Sequence, residues 1–238
     1  MPKIVEAYSD ENGKARGGKL GDQTGKEIRV REFYIRDGGF SVYLECTDPL
    51  LAEAAVFNAR LIAEDSSFGY NQDDRWSGYK EIISGGSIDE AETGDFDCAS
   101  LCVAAYILAG LDMKPEGYTG NLERLFLETG KFKSYDDAAH LNSSNLATVG
   151  GMYLEPKKHV MMMLENGSGA QPQEQPSGGK RVYAKGSVRV RKSPIDGKSL
   201  VTLRKGESLP YISTWHAVEL DGETAYISGN TKYTEVRE

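Results

Sequence analysis

The chain has 238 residues, 39% of them hydrophobic, and 28 Lys and Arg stand against 36 Asp and Glu for a net charge of −8. That length fits one medium domain plus one small one, at typical domain sizes of roughly 100–200 residues, and nothing in the composition is extreme. No window approaches the roughly 20 apolar residues that span a bilayer, and the N-terminus turns acidic at Glu6 without an apolar signal-peptide core. The expectation is a soluble protein made in a cytoplasm.

Three cysteines, Cys46, Cys98 and Cys102, are too few and odd in number for a disulfide framework, which favours a reduced compartment and leaves a thiol free for chemistry. With no CxxC motif, neither zinc nor another metal is expected, and no cofactor is called for. Charge is uneven: from Lys180 onward 11 Lys and Arg face 7 Asp and Glu, a net of +4, which leaves −12 for the residues before it. A basic C-terminal part suits nucleic acid, but an aromatic-bearing β module facing anionic wall polymer suits it as well.

In chain order, residues 1–48 read as β-rich, with a Gly-rich stretch over 17–25 and short strands over 27–35 and 40–44. The pattern then changes to a helix over 49–63, with Asp48 as N-cap and Pro49 in the first turn. A polar loop through Gly85 and Gly86 follows. The next helix begins at Asp97 or Cys98, runs to Ala109 and is stopped by Gly110; being apolar almost all round, it should be buried. A third helix fits 121–128, and strands fit 152–155 and 159–164, the latter closed by the turn Glu165-Asn166-Gly167. Helices first and strands afterwards make an α+β domain. Residues 168–179, rich in Gly, Pro, Gln and Ser, cannot form a packed core and read as a linker. Beyond it, short strands broken by Lys-Gly and Asp-Gly pairs over 180–238 read as a small all-β barrel.

Cys98 stands out as a nucleophile, because a thiol at a helix start meets unpaired backbone N–H groups and the positive end of the helix dipole, both of which favour thiolate. Cys102, one turn further on, reads as a packed structural cysteine. Of the three histidines only His159 opens an apolar strand; His140 falls in a surface helix or turn and His216 in the C-terminal part.

Phe96-Asp97-Cys98-Ala99-Ser100 followed by His159 and an apolar strand ending in Asn166-Gly167 resembles the NlpC/P60 peptidases, and Phe68-Gly69-Tyr70 resembles the loop after their first helix. The resemblance covers about residues 50–167 and implies a papain-like cysteine peptidase domain over 1–167. It implies Cys98 as nucleophile, His159 as its acid–base partner, and Tyr70, Asp97 and Ser100 on the substrate side, Asp97 being also a helix cap. Two departures stand out. Gly150-Gly151 replaces the family's Gly-Asp pair, and the strand that should carry the residue orienting the imidazole falls in the linker. Asp22, Gln23, Asn71, Gln72, Glu165 and Asn166 are the candidates, with Gln23 preferred. The C-terminal order Val188-Arg189-Val190-Arg191-Lys192-Ser193-Pro194, Leu203-Arg204-Lys205-Gly206, Trp215 and Tyr226-Ile227-Ser228 resembles bacterial SH3 modules and implies an SH3-like barrel over 180–238, with Tyr211, Trp215 and Tyr226 as wall-binding aromatics or core.

These resemblances together imply the layout of a phage endolysin: held in the host cytoplasm without a signal peptide until lysis, then acting on Gram-positive peptidoglycan. They imply a cysteine endopeptidase in preference to an N-acetylmuramoyl-L-alanine amidase, acting as a monomer, with no nucleic-acid or membrane partner. The alternatives are a non-catalytic wall-binding scaffold on a degenerate papain-like domain, or a bacterial autolysin.

Overall fold

The computed structural model describes residues 1–86, 88 and 91–170 and, further along, seven strands between Arg181 and Arg237. The chain divides into two compact units, Met1–Gln173 and Glu174–Glu238.

The first unit is mixed α and β. In chain order it contains β1 (Lys3–Ala7), β2 (Ile28–Glu32), β3 (Val42–Cys46), α1 (Pro49–Glu64), β4 (Phe68–Tyr70), α2 (Ser77–Gly85), β5 (Gly94–Phe96), α3 (Cys98–Leu108), α4 (Leu122–Glu128), β6 (Phe132–Tyr135), α5 (Ala138–Leu141), β7 (Met152–Glu155) and β8 (His159–Met163). Six strands form an antiparallel sheet in the order β2-β1-β8-β7-β3-β6, while β4 and β5 form a separate parallel pair.

Local chemistry explains the two main helices. The Asp48 carboxylate accepts from the Leu51 N–H at 3.2 Å, and Pro49 occupies the first turn, where its missing N–H costs nothing. Every residue of α3 from Cys98 to Tyr106 is buried, as its uniformly apolar sequence requires. α1 packs along α3, and the wholly buried Asn58 ties the two by donating from Nδ2 to the Ala105 carbonyl at 3.0 Å.

Strand pleat sorts the sheet residues into two faces. Ile4, Tyr43, Tyr153, Met161 and Met163 cluster on one face with Phe33, Phe40 and Ala147. Val5, Leu44, Met152 and Met162 lie in register on the other, the side on which α1 and α3 pack. Both faces are covered, so Met161, Met162 and Met163 are all fully buried and the run shows no alternation. Each such side chain contributes roughly 1.5–3 kcal/mol.

Two features depart from the sequence reading. The stretch read as a polar loop contains α2, which has no side-chain cap at its start and closes on Gly86 at φ 88°, a left-handed conformation that glycine adopts freely. More consequential is β1, which lies inside the sheet beside β8, so the first strand of this unit stands next to its last. β1 stays paired with β2 as far as Ala7↔Ile28, yet pairs with β8 only at Ile4↔Met163 and Val5↔Met162. Beyond Val5 the two strands make no further ladder pair, and at the start of β8 they are joined through side chains, Glu6 to His159.

The second unit is built of β9 (Arg181–Ala184), β10 (Val188–Arg191), β11 (Ser199–Leu203), β12 (Ser208–Pro210), β13 (Ala217–Leu220), β14 (Glu223–Tyr226) and β15 (Thr234–Arg237). They form antiparallel sheets in the orders β11-β10-β14-β13 and β12-β9-β15, with Val182 and Val218 buried. Residues 171–179 of the expected linker, Tyr211 and Trp215 lie outside the described residues, and Tyr226 is described only as backbone at the end of β14.

Candidate active site

Cys98 is the first residue of α3, and Asp97 caps it. The Asp97 carboxylate accepts from the Ser100 N–H at 2.7 Å, and the Ser100 hydroxyl accepts from the Asp97 N–H at 2.8 Å, a reciprocal capping box. The second Asp97 oxygen pairs with Arg75 Nη1 at 3.1 Å. Both oxygens of Asp97 thus have protein partners, and Ser100 is fully buried inside the cap.

Backbone N–H groups of Val160, Ala99 and Cys98 itself point at the thiol, as expected at a helix N-terminus. They do not win. Burial, with the neighbouring Asp97 charge adding to it, pushes the Cys98 thiol up to about 12. The helix start favours thiolate, but at this depth the desolvation cost exceeds what the helix end returns. Cys98 is 5% exposed, against 1% for Cys102 and 0% for Cys46, the highest of three buried cysteines. Cys102 lies beneath it, its thiol raised by burial and then by Cys98. Tyr70 borders the same spot: its hydroxyl accepts from Gln72 Nε2 at 3.1 Å, and burial followed by the proximity of Cys98 raises its pKa.

His159 opens β8, one residue before the Val160 amide that faces the thiol. Its Nε2 lies 2.8 Å from Glu6 Oε2, on the neighbouring strand β1. The Glu6 side chain is wholly buried and fully engaged: Arg29 Nε and Nη2 donate to Oε1 at 2.9 and 2.7 Å, and the Tyr34 hydroxyl donates to Oε2 at 2.7 Å. Burial pulls the Glu6 pKa up, but the hydrogen bonds from His159, Tyr34 and Arg29 outweigh it and hold the carboxyl down at about 2. Glu6 is therefore an ionised acceptor at neutral pH, so Nε2 must carry the proton. In the neutral form of such an imidazole Nδ1 is the free base nitrogen. Tyr8 meets the imidazole edge-on, with centroids 6.2 Å apart and planes at 85°. No hydrogen bond joins the Cys98 sulfur to the imidazole; the thiol rests against the adjoining backbone.

Gln23 is not brought to His159. Its side chain donates to the Leu20 and Gly21 carbonyls, at 3.1 and 3.3 Å, inside its own loop. Asp22 likewise accepts from the Thr24 and Gly25 N–H groups. Asn71 accepts from the Asp73 N–H, Glu165 from the Lys3 N–H, and Asn166 from the Val149 N–H. The carboxylate on the imidazole is Glu6, which the sequence reading passed over. A signal existed: Glu6 sits in an apolar strand, Ile4-Val5-Glu6-Ala7, and Arg29 and Arg31 alternate in the strand that pairs with it. Among the described residues, no three His, Cys, Asp or Glu side chains gather as a metal site needs, and no helix is long and apolar enough to cross a membrane.

A family model described as endolysin-like domain matches residues 4–170. Comparison with curated proteins and with solved structures gives no match.

Proposed function

Because the chain belongs to the endolysin-like domain family, which points to lysis of the bacterial cell wall through peptidoglycan, we propose that its first unit is a cysteine peptidase of NlpC/P60 type that hydrolyses a peptide amide of that polymer. The observation that carries this reading is the meeting of three elements around the start of β8. The N-terminus of α3 brings Cys98 against the Val160 amide, the start of β8 brings His159, and β1 brings Glu6 onto its Nε2.

The chemistry follows from those positions. His159 Nδ1 takes the Cys98 proton as sulfur attacks the substrate carbonyl, since a thiol held near 12 does not ionise ahead of the reaction. The N–H groups at the start of α3 meet the developing negative charge. The imidazolium, stabilised by ionised Glu6, protonates the leaving amine, and a thioester remains. Water, deprotonated by the same imidazole, hydrolyses it and frees the thiol. The absence of a sulfur–imidazole hydrogen bond is compatible with this sequence, because such contacts are often long in the free enzyme and tighten when substrate binds. Tyr70 borders the thiol on the side where the substrate would lie.

The second unit, an SH3-like module in this reading, holds the enzyme on the wall through Tyr211, Trp215 and Tyr226 and raises its local concentration without altering the chemistry. The raised Cys98 thiol favours one rival, a wall-binding scaffold without catalysis. Incubation of purified sacculi with the protein and with Cys98→Ser separates the two: the peptidase reading expects release of soluble peptides by the first only, and equal inertness of both would favour the scaffold.

A further inference from the structure

Asp97 is the charged member of the α3 cap, and its two oxygens serve different partners. Oδ1 accepts from the Ser100 N–H inside the cap, while Oδ2 meets Arg75 Nη1 at 3.1 Å. The Asp97 side chain is 5% exposed and that of Arg75 35%, so the pair is screened less than a bridge on the open surface. A cap needs an oxygen acceptor and not a charge, since Asn serves there as well as Asp. The charge is what Arg75 answers.

Packing holds the arginine in place. Arg75 lies in the loop between β4 and α2, two residues before Ser77 opens the helix. α2 sits close on β5, the strand that leads into Asp97: Gly78 faces the Phe96 ring and Gly94 faces Gly78, positions at which a Cβ would overlap its neighbour. The Ser77 hydroxyl accepts from the Asp95 N–H at 2.8 Å, and the Ser77 N–H donates to the Asp74 carbonyl at 3.0 Å. The end of the loop is thereby fixed against the backbone that carries Asp97 and Cys98.

Burial opposes ionisation of the Cys98 thiol most, and the Asp97 charge comes second. The other groups around the sulfur are the backbone N–H groups of Val160, Ala99 and Cys98, the Cys102 thiol beneath it and Tyr70 from β4. On the adjoining strands Glu6 and His159 are bonded to each other.

We propose that Arg75 is a positioning residue for the thiol, acting through Asp97 to offset the negative charge of the cap so that less of it opposes loss of the Cys98 proton. An ion pair with its negative end nearer the sulfur opposes a thiolate less than a bare carboxylate does. α2, which carries none of the reacting groups, thus has a part in the chemistry as the support of this arginine. The device serves catalysis only on the peptidase reading, whereas its effect on the thiol needs no substrate.

The test is the rate of Cys98 labelling by iodoacetamide from pH 6 to 10, in the full-length chain with Cys102→Ala, read by mass spectrometry of the α3 peptide. The rate follows the thiolate fraction, offset in part by the greater nucleophilicity of a more basic sulfur. Arg75→Gln is expected to slow labelling about threefold or more, and Arg75→Lys, which keeps the charge, to restore part of the rate. Asp97→Asn is expected to speed it, and Arg75→Gln combined with Asp97→Asn to return it to the parent rate or above. A merely structural arginine gives the opposite pattern, because a loosened fold exposes the sulfur and labels faster. Unchanged or faster labelling in Arg75→Gln, no gain in Asp97→Asn, or a double variant as slow as Arg75→Gln overturns the assignment. Sacculus hydrolysis by the wild-type chain is followed separately. The expected labelling pattern without any hydrolysis keeps the role of Arg75 and removes the peptidase reading, whereas hydrolysis with labelling indifferent to Arg75 does the reverse.

Discussion

Two histidines of the first unit each bond a carboxylate at nearly the same distance, and they do different things. His140 Nδ1 lies 2.7 Å from Asp137 three residues away in and before α5, with the Asp137 side chain half exposed. His159 Nε2 lies 2.8 Å from Glu6, across 153 residues of chain, with the Glu6 side chain wholly buried. The first pair is made by one helical turn, with the imidazole stacked on Tyr135 at 4.0 Å, and water screens its charge. The second is made by the sheet, in a medium where a charge is tolerated only if every acceptor is filled. Equal distances hide unequal consequences: burial decides which carboxylate must keep its imidazole as a partner and which decorates a turn.

Removal of His159 has the largest expected effect. His159→Ala loses general acid–base transfer, a loss on the order of a hundredfold to ten-thousandfold in the rate of sacculus hydrolysis, and also leaves the buried Glu6 Oε2 one hydrogen bond short, so a lowered thermal midpoint accompanies it. His140→Ala in the same assay keeps its activity, and a comparable loss there would reverse the comparison.

Glu6→Gln comes next, because it damages both activity and stability. An amide beside Nε2 favours the wrong imidazole tautomer, and Arg29 loses the charge it was placed to meet. The expected destabilisation is about 3 kcal/mol, the scale of a broken buried ion pair, read by urea titration. Asp137→Asn, on the exposed pair, should leave the unfolding midpoint where it was.

The pH dependence sharpens the same contrast. Glu6 is held at about 2 in the folded chain against an ordinary 4.5, a depressed carboxylate. Its contribution is complete above pH 4.5 and is lost as pH falls from there toward 2. The stability gap between the wild-type chain and Glu6→Gln should therefore narrow across that window, and a gap constant from pH 6 to 3 would show that the Glu6 charge is not what stabilises.

The smallest effects concern the thiols. With Cys98 raised to about 12, its alkylation by iodoacetamide should climb steadily from pH 6 to 10 with no plateau near neutrality, and a plateau there would reveal a preformed thiolate. Cys102→Ala removes a buried sulfur and should cost on the order of 1 kcal/mol while most activity remains.

Much of this site was legible in the sequence because its parts are local. Asp48 and Pro49 mark the start of α1, Asp97 and Ser100 mark the start of α3, and both helices begin where those residues put them. His159 could be read as the head of an apolar strand, and β8 begins there. Glu6 escaped because its meaning depends on a sheet order that returns β1 to the side of β8, which no local pattern carries. The acidity of Cys98 was misjudged for a related reason: a helix start is visible in sequence, whereas the depth at which it is buried is a property of the packed unit. α2 was missed because Trp76 offers no side-chain cap at its N-terminus.

In the proposed reaction Cys98, His159 and Glu6 together open a peptide amide of the wall, and mass spectrometry of the fragments released from purified sacculi reads the bond that is cut. The expected products carry new amine and carboxyl ends within the peptide part, with glycan strands intact and no release by Cys98→Ala. Release of new reducing sugar ends, or undiminished release by Cys98→Ala, would contradict it.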